Sequence, residues 1–206
     1  TPANNQLYDD VTDRLDIDIH EELKVRTMAS QIRNHNEGSV LVPERPQPAT
    51  FCKLGLRRGY TEMVVVWKEE TTGVICKVKL DAVRLLEFGD VVGTELETGI
   101  AVPDIKTTNS LKTFARSAKK YGYDVQAAMY TGAARALFKR PVDFYTIAVE
   151  SVGPDFYVEA LKYCSRSIEA GTKKYQALLQ EVKDRCESGD WNPPRSRGVH
   201  TVSTVR

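Results

Sequence analysis

Residues 61–86, TEMVVVWKEETTGVICKVKLDAVRLL, leave the backbone few choices. TEMVVVWK (61–68) is filled with β-branched and aromatic residues, which keep their rotamer preferences best on a pleated surface. EETTG (69–73) ends in glycine and reads as a hairpin turn. VICKVKLDAVRLL (74–86) then alternates, with Cys76, Val78 and Leu80 set against Lys77 and Lys79. EFGDVVGTELE (87–97) is a loop or a widened hairpin end, and TGIAVPDIKT (98–107) is a third strand. A three-strand antiparallel meander follows.

Helical patterns surround this block. Residues 17–35 carry an imperfect apolar stripe of Leu23, Met28 and Ile32, with Gly38 as a stop. PERPQP (43–48) holds three prolines and is an extended loop. Beyond the meander, Asn109 is placed to cap a helix whose Leu111, Phe114, Ala115 and Ala118 share a face, and Gly122 ends it. Asp124 is placed to cap a second helix over 125–138. VDFYTIAVES (142–151) reads as a strand, Gly153–Pro154 as a turn, and DFYVEAL as the start of another short strand. Residues 159–188 read as a long helix softened at Gly171. The expected fold is α/β: a mixed central sheet, the meander plus further strands, flanked by helices. The expected organisation is a linker or the end of a preceding region over 1–16, one domain over 17–192, and a flexible tail over 193–206.

Composition narrows the class less than pattern does. Lys and Arg number 29 against 28 Asp and Glu, so the net charge is +1 and the chain lacks the footprint of a histone-like binder. A local basic groove is enough for a nucleic-acid enzyme. Four cysteines (52, 76, 164 and 186) form no C-x-x-C pair, and the reading is reduced thiols in the cytoplasm. No apolar run reaches the roughly 18 residues of a membrane span, so no membrane partner is expected. The chain begins at Thr1, so a missing targeting signal carries little weight.

Polar residues on the meander raise a chemical question. Glu62 opens the first strand, Asp81 lies in the second, and Asp104 and Lys106 end the third. On a strand, i and i+2 share a face, so Asp104 and Lys106 project together while Ile105 points the other way. An antiparallel partner brings Asp81 alongside when the register allows. Two carboxylates suit Mg²⁺, a hard cation that prefers oxygen and keeps several waters. Such a cation stabilises charge on a phosphodiester and makes water nucleophilic near neutral pH. Asp81 and Asp104 are the expected ligands, with the Ile105 carbonyl as a third oxygen and Glu62 binding directly or through water. Lys106 would sit by the attacking water and favour its hydroxide form. Gln126 and Tyr130, at i and i+4, would line the site and hold the scissile phosphate or terminal base. Lys112, Arg116, Lys119 and Lys120 share a helix face that can track a phosphate backbone. The competing reading is a solvated strand end, a half-buried helix and a solvated basic face.

Taken together, PDIKTT (103–108), Phe114 followed by YGYDVQAAMY (121–130), and VWKEETTGVICKVKLD (66–81) resemble the nuclease domain of the exonuclease VIII (RecE) family. That family belongs to the PD-(D/E)xK superfamily, with lambda exonuclease a more distant relative. VRTMASQIRNH (25–35) and CESGDW (186–191) are similar less specifically, and the resemblance covers roughly 22–192. It implies a restriction-endonuclease-like sheet and a Mg²⁺-dependent exonuclease, with Mn²⁺ as a substitute. The implied activity removes nucleotides 5′→3′ from double-stranded DNA ends and leaves 3′ single strands. It also implies metal ligation by Asp81 and Asp104, catalysis by Lys106, and supporting roles for Glu62, Gln126 and Tyr130. The implied setting is a bacterial or phage-encoded protein in the cytoplasm, a ring-shaped homo-trimer or homo-tetramer, and a single-strand annealing partner for recombination. The chain departs from the pattern in having Asp104 where many superfamily members have Glu, although this family uses Asp there. The Asp81–Asp104 spacing is long, and only His20 and His35 stand near the family's upstream histidine by position. Two alternatives remain: a Cas4-like or helicase-linked nuclease with an iron–sulfur clasp, and a degenerate nuclease fold that binds DNA.

Overall fold

The computed structural model describes residues 19–42, 59–87 and 98–191. Five strands form one sheet in the order β1-β2-β3-β4-β5: β1 (Gly59–Lys68), β2 (Ile75–Glu87), β3 (Thr98–Thr108), β4 (Val142–Glu150) and β5 (Val158–Lys162). The first three are an antiparallel meander, β4 runs parallel to β3, and β5 returns antiparallel to β4. Helices α1 (Ile19–Asn34) and α2 (Asn36–Leu41) precede the sheet. Helices α3 (Leu111–Tyr121) and α4 (Tyr123–Phe138) make the β3–β4 crossover that a parallel pair requires, and α5 (Ser165–Ser188) follows β5. PERPQP, Cys52, the tail over 193–206, residues 1–16 and loop residues 88–97 lie outside the described residues.

Each face of the sheet has its own core. On one face Met63, Val65, Val78, Leu80, Ile100, Val102 and Phe144 pack against Ala127, Ala133 and Ala134 of α4. Alanines let the α4 backbone approach the strands closely, and each buried large side chain contributes about 1.5–3 kcal/mol. On the other face Leu86, Ala101, Tyr145, Ile147 and Val149 pack with Ile32 and Leu41 of α1 and α2. Leu23, expected on the buried stripe of α1, is exposed instead, and that stripe narrows to Met28 and Ile32.

Three expected helix boundaries shift, each for a traceable reason. Ser110, not Asn109, is the N-cap of α3, and its side chain makes no capping bond. The orphan N–H of Leu111 instead donates to Glu150 Oε1 at 2.8 Å, so β4 caps this helix from a distance. Gly122 ends α3 and also starts α4, which moves Asp124 from the cap into the first turn. There the Asp124 carboxylate accepts from Lys174 of α5 at 2.5 Å. The long helix starts at Ser165 rather than 159, because residues 158–162 pair with β4 as an edge strand.

Gly171 does not soften α5. It lies where α5 crosses α4, and a Cβ there would come within 2.0 Å of the Asp124 carbonyl oxygen. That neighbour is backbone, so it cannot turn aside. Gly171→Ala should destabilise the fold by about 1–3 kcal/mol, even though alanine favours a helix interior over glycine. Chemical denaturation measures this, and an unchanged or raised midpoint would mean that the helices are not held in this contact.

Candidate active site

The β2–β3 ladder runs from Glu87–Thr98 to Arg84–Ala101 and stops there. Carried three residues further, its register would set Asp81 opposite Asp104. The contact made there runs from backbone to side chain: the Ile105 N–H donates to Asp81 Oδ2 at 3.4 Å. This is long for a hydrogen bond and leaves most of the Asp81 carboxylate uncommitted. The two expected acids therefore meet where neighbouring strands part.

Asp104 is 2% exposed, which is unusual for a carboxylate. Its Oδ1 accepts from Gln126 Nε2 of α4 at 2.9 Å. Its Oδ2 lies 2.6 Å from Lys106 Nζ in an ion pair but receives no oriented hydrogen bond. Burial pushes the Asp104 carboxyl above its ordinary range; Lys106 and Gln126 pull it down, and the charge of Asp81 pushes it up again. A buried acid with an uncommitted lone pair, beside a second acid, is a site that a cation would relieve. Lys106 shares the Asp104 face, as period two requires, and its side chain is 22% exposed. The Ile105 side chain is exposed on the opposite face of β3.

Other expected residues are placed differently. Gln126 holds Asp104 itself, fixing the rotation of that carboxylate, rather than reaching outward for a phosphate or base. Tyr130, one turn further along α4, sits edge-on to Phe144 with ring centroids 6.2 Å apart and packs against the core. The Glu62 side chain is 61% exposed and ion-paired with Lys79, whose ammonium also feels the charge of Asp81. Among the described residues no three His, Cys, Asp or Glu side chains converge on one point. Glu62 has φ 54°, left-handed for a non-glycine residue, and the strand's alternation breaks there. Tyr60 and Met63 pack on the same face, as do Leu80 and Val83 across the ladder.

Lys112, Arg116, Lys119 and Lys120 are all exposed along α3, which carries no acidic residue, and none forms an ion pair among the described residues. His20 and His35 stand on α1 and at the cap of α2, where His35 Nδ1 accepts from Gly38 N–H at 3.1 Å. Cys164 caps α5 and Cys186 lies in its last turns, about 33 Å apart along the axis, too far to share one iron–sulfur cluster.

Two residues of the site carry no signal in a D-x-K reading. Tyr123 lies under Lys106, whose Nζ is 5.4 Å from its ring centroid, a cation–π distance. It stands three residues before Gln126 on the same face of α4, and helical period alone could have found it. Tyr163 packs edge-on to Phe144 with centroids 5.2 Å apart. Burial above all, with the charges of Asp104 and Asp124 adding to it, pushes its phenol up against the opposing pull of Thr146. It follows β5, so only the strand pairing brings it here.

A mixed five-strand sheet with Asp81, Asp104 and Lys106 at the parting of two strands has the form of a PD-(D/E)xK nuclease domain. The chain belongs to the family described as a PDDEXK-like domain of unknown function (DUF3799), which it matches over residues 20–203. No curated protein matches it in sequence. Its fold is similar to the crystal structure of a presumed exonuclease from Eubacterium rectale, with a TM-score of 0.52 and 13% identity. That match covers 87% of this chain and 61% of the other, so the chain spans about three-fifths of that protein's length. The crystal structure of SSO0001 is also similar, at a TM-score of 0.34 and 14% identity over 66% of this chain and 52% of that one, too low to carry an argument. No helix among the described residues is long and apolar enough to cross a membrane.

Proposed function

We propose that this nuclease domain removes nucleotides from the ends of linear double-stranded DNA with Mg²⁺, for which Mn²⁺ substitutes, and does so 5′→3′. The observation that carries the reading is the buried Asp104 held between Lys106 and Gln126, with Asp81 facing it across the strand gap. Asp81 and Asp104 would hold the cation, with the carbonyl of Ile105 as a third oxygen. Bound there, the cation supplies charge stabilisation at the phosphodiester and lowers the pKa of a water.

The chain's own residues do the rest. Gln126 keeps the Asp104 carboxylate in one rotation, with Oδ2 beside the Lys106 ammonium. Lys106, whose Nζ lies 2.6 Å from Asp104 Oδ2, would stand beside a cation held there, where its ammonium would orient the attacking water and favour its hydroxide form. The ring of Tyr123 holds that ammonium in place and shields one side from solvent. The basic face of α3 binds the phosphate backbone, so affinity should fall as salt rises. The resemblance to exonuclease VIII supports strand polarity, a trimeric or tetrameric ring, a cytoplasmic setting and a single-strand annealing partner for recombination.

The test is a linear duplex labelled at either the 5′ or the 3′ end, digested with Mg²⁺ or Mn²⁺ and resolved by size. Early release of 5′-labelled mononucleotide, and its loss in Lys106→Ala, are the expected results. Internal fragments would make the domain an endonuclease. Intact DNA with tight, salt-sensitive binding would make it a DNA-binding module.

A further inference from the structure

We infer that Tyr121 is a stacking platform for an unpaired nucleobase of the DNA strand that enters the Asp104–Lys106 site. The inference rests on the nuclease reading and adds to it the form of the substrate: an end whose terminal bases are unstacked from the duplex.

Tyr-Gly-Tyr at 121–123 forms the junction between α3 and α4. Gly122 adopts φ 68° and ψ 36°, a left-handed conformation that glycine enters without steric penalty, and it is at once the last cap of α3 and the first of α4. The turn brings the flanking rings together, with centroids of Tyr121 and Tyr123 6.0 Å apart and planes inclined by 30°. Phe114, buried in α3, backs Tyr123 at 6.1 Å. The rings then differ in what they meet. Tyr123 is half-buried beneath the Lys106 ammonium. Tyr121 is 63% exposed, although a tyrosine ring is large and apolar.

Charge decides what such a ring can hold. Lys120 Nζ lies 5.4 Å from the Tyr121 centroid, Lys119 precedes it, and Lys112 and Arg116 continue the basic face along α3. An exposed aromatic ring among unpaired cations is a poor surface for an apolar protein segment. It is a good one for a polyanion that also carries flat π-faces. Two steps, 6.0 Å from Tyr121 to Tyr123 and 5.4 Å from Tyr123 to Lys106 Nζ, join the platform to the site. With roughly 3.4 Å of rise per stacked nucleotide, a base on Tyr121 lies about one to three nucleotides from the phosphate at Asp104. Inside a duplex both faces of a base pair are covered by its neighbours, so a nucleotide that stacks on Tyr121 from within the strand, rather than from a blunt end, is locally unpaired.

The experiment uses the full chain without divalent metal and a duplex carrying a three-nucleotide unpaired end with 2-aminopurine. The wild type should quench the probe on binding. Tyr121→Ala should weaken binding about 5- to 100-fold, and Tyr121→Phe should restore it, since stacking needs the ring and not the hydroxyl. Replacing the probe nucleotide by an abasic one should weaken the wild type by a similar factor and leave Tyr121→Ala nearly unaffected. Tyr157→Ala, at an exposed tyrosine on the β4–β5 connection, should match the wild type. Equal affinity of wild type and Tyr121→Ala for both ends overturns the platform. Binding and cleavage are read separately. A wild type that cuts DNA without this base dependence refutes the platform alone. Base-dependent quenching without cleavage under Mg²⁺ or Mn²⁺ refutes the nuclease reading alone.

Discussion

Replacing Asp104 by asparagine should lower metal-dependent cleavage by at least about 10³-fold and leave the metal-free protein no less stable. The two outcomes come from one fact. An ionised carboxylate 2% exposed is a burden on the fold that Lys106 and Gln126 offset only in part. The amide of asparagine has the same shape, and its oxygen still accepts from Gln126, but it carries no charge for a cation. Activity and melting temperature should therefore part company: the first is lost while the second holds or rises. A simple structural role predicts the reverse, a melting temperature that falls together with activity. Glu62→Ala is the informative neighbour, because Glu62 is paired with Lys79. It should reduce cleavage far less than Asp104→Asn, and equal losses would place Glu62 among the direct ligands.

The largest expected effect on stability lies away from the site. Glu69 closes the β1–β2 hairpin and is 4% exposed. Its Oε2 accepts from the Thr72 amide at 2.7 Å and the Thr72 hydroxyl at 2.8 Å, and its Oε1 accepts from Gln176 of α5 at 2.9 Å. Burial alone would push this carboxyl up. The hydrogen bonds from Thr72 and Gln176 together outweigh it and hold the pKa at about 2, against an ordinary 4.5. A depressed pKa contributes stability above the unfolded value and loses it as pH falls through the folded one. The contribution at neutral pH is at most about 3 kcal/mol, reduced by solvent screening, and is lost between about pH 4.5 and pH 2. Glu69→Gln should cost up to that amount at pH 7 and flatten this part of the acid dependence, measured by urea denaturation at several pH values. If the variant and the wild type lose stability in parallel below pH 4.5, the Glu69 carboxylate is not what fastens the hairpin to α5.

Much of the site was legible because β3 is regular. Period two put Asp104 and Lys106 on one face and Ile105 on the other, and the structure keeps all three there. Glu62 marks the limit of that rule: alternation assumes extended backbone, and one left-handed residue resets which way the next side chains point. No property of glutamate announces such a conformation. The meander itself is readable from local sequence, whereas a helix expected from 159 takes in part of β5, because VEALK has no strong local preference and is a strand only by pairing with β4. Gly171 reads as a weakness because sequence reveals a helix's own propensity but not the neighbour that demands the missing side chain. Asn109 lost its cap to a carboxylate 39 residues away from the amide it satisfies, a partner that no local motif can name.

The parting of β2 and β3 gives the two acids the geometry of calipers. Their jaws, at Asp81 and Asp104, are not laddered to each other. The pivot is the short paired stretch from Arg84–Ala101 to Glu87–Thr98, pinned by Ile100 in one core and Leu86 in the other. On the proposed reading, the opening between the jaws, and with it the size of cation they would admit, follows from apolar packing several residues from either carboxylate.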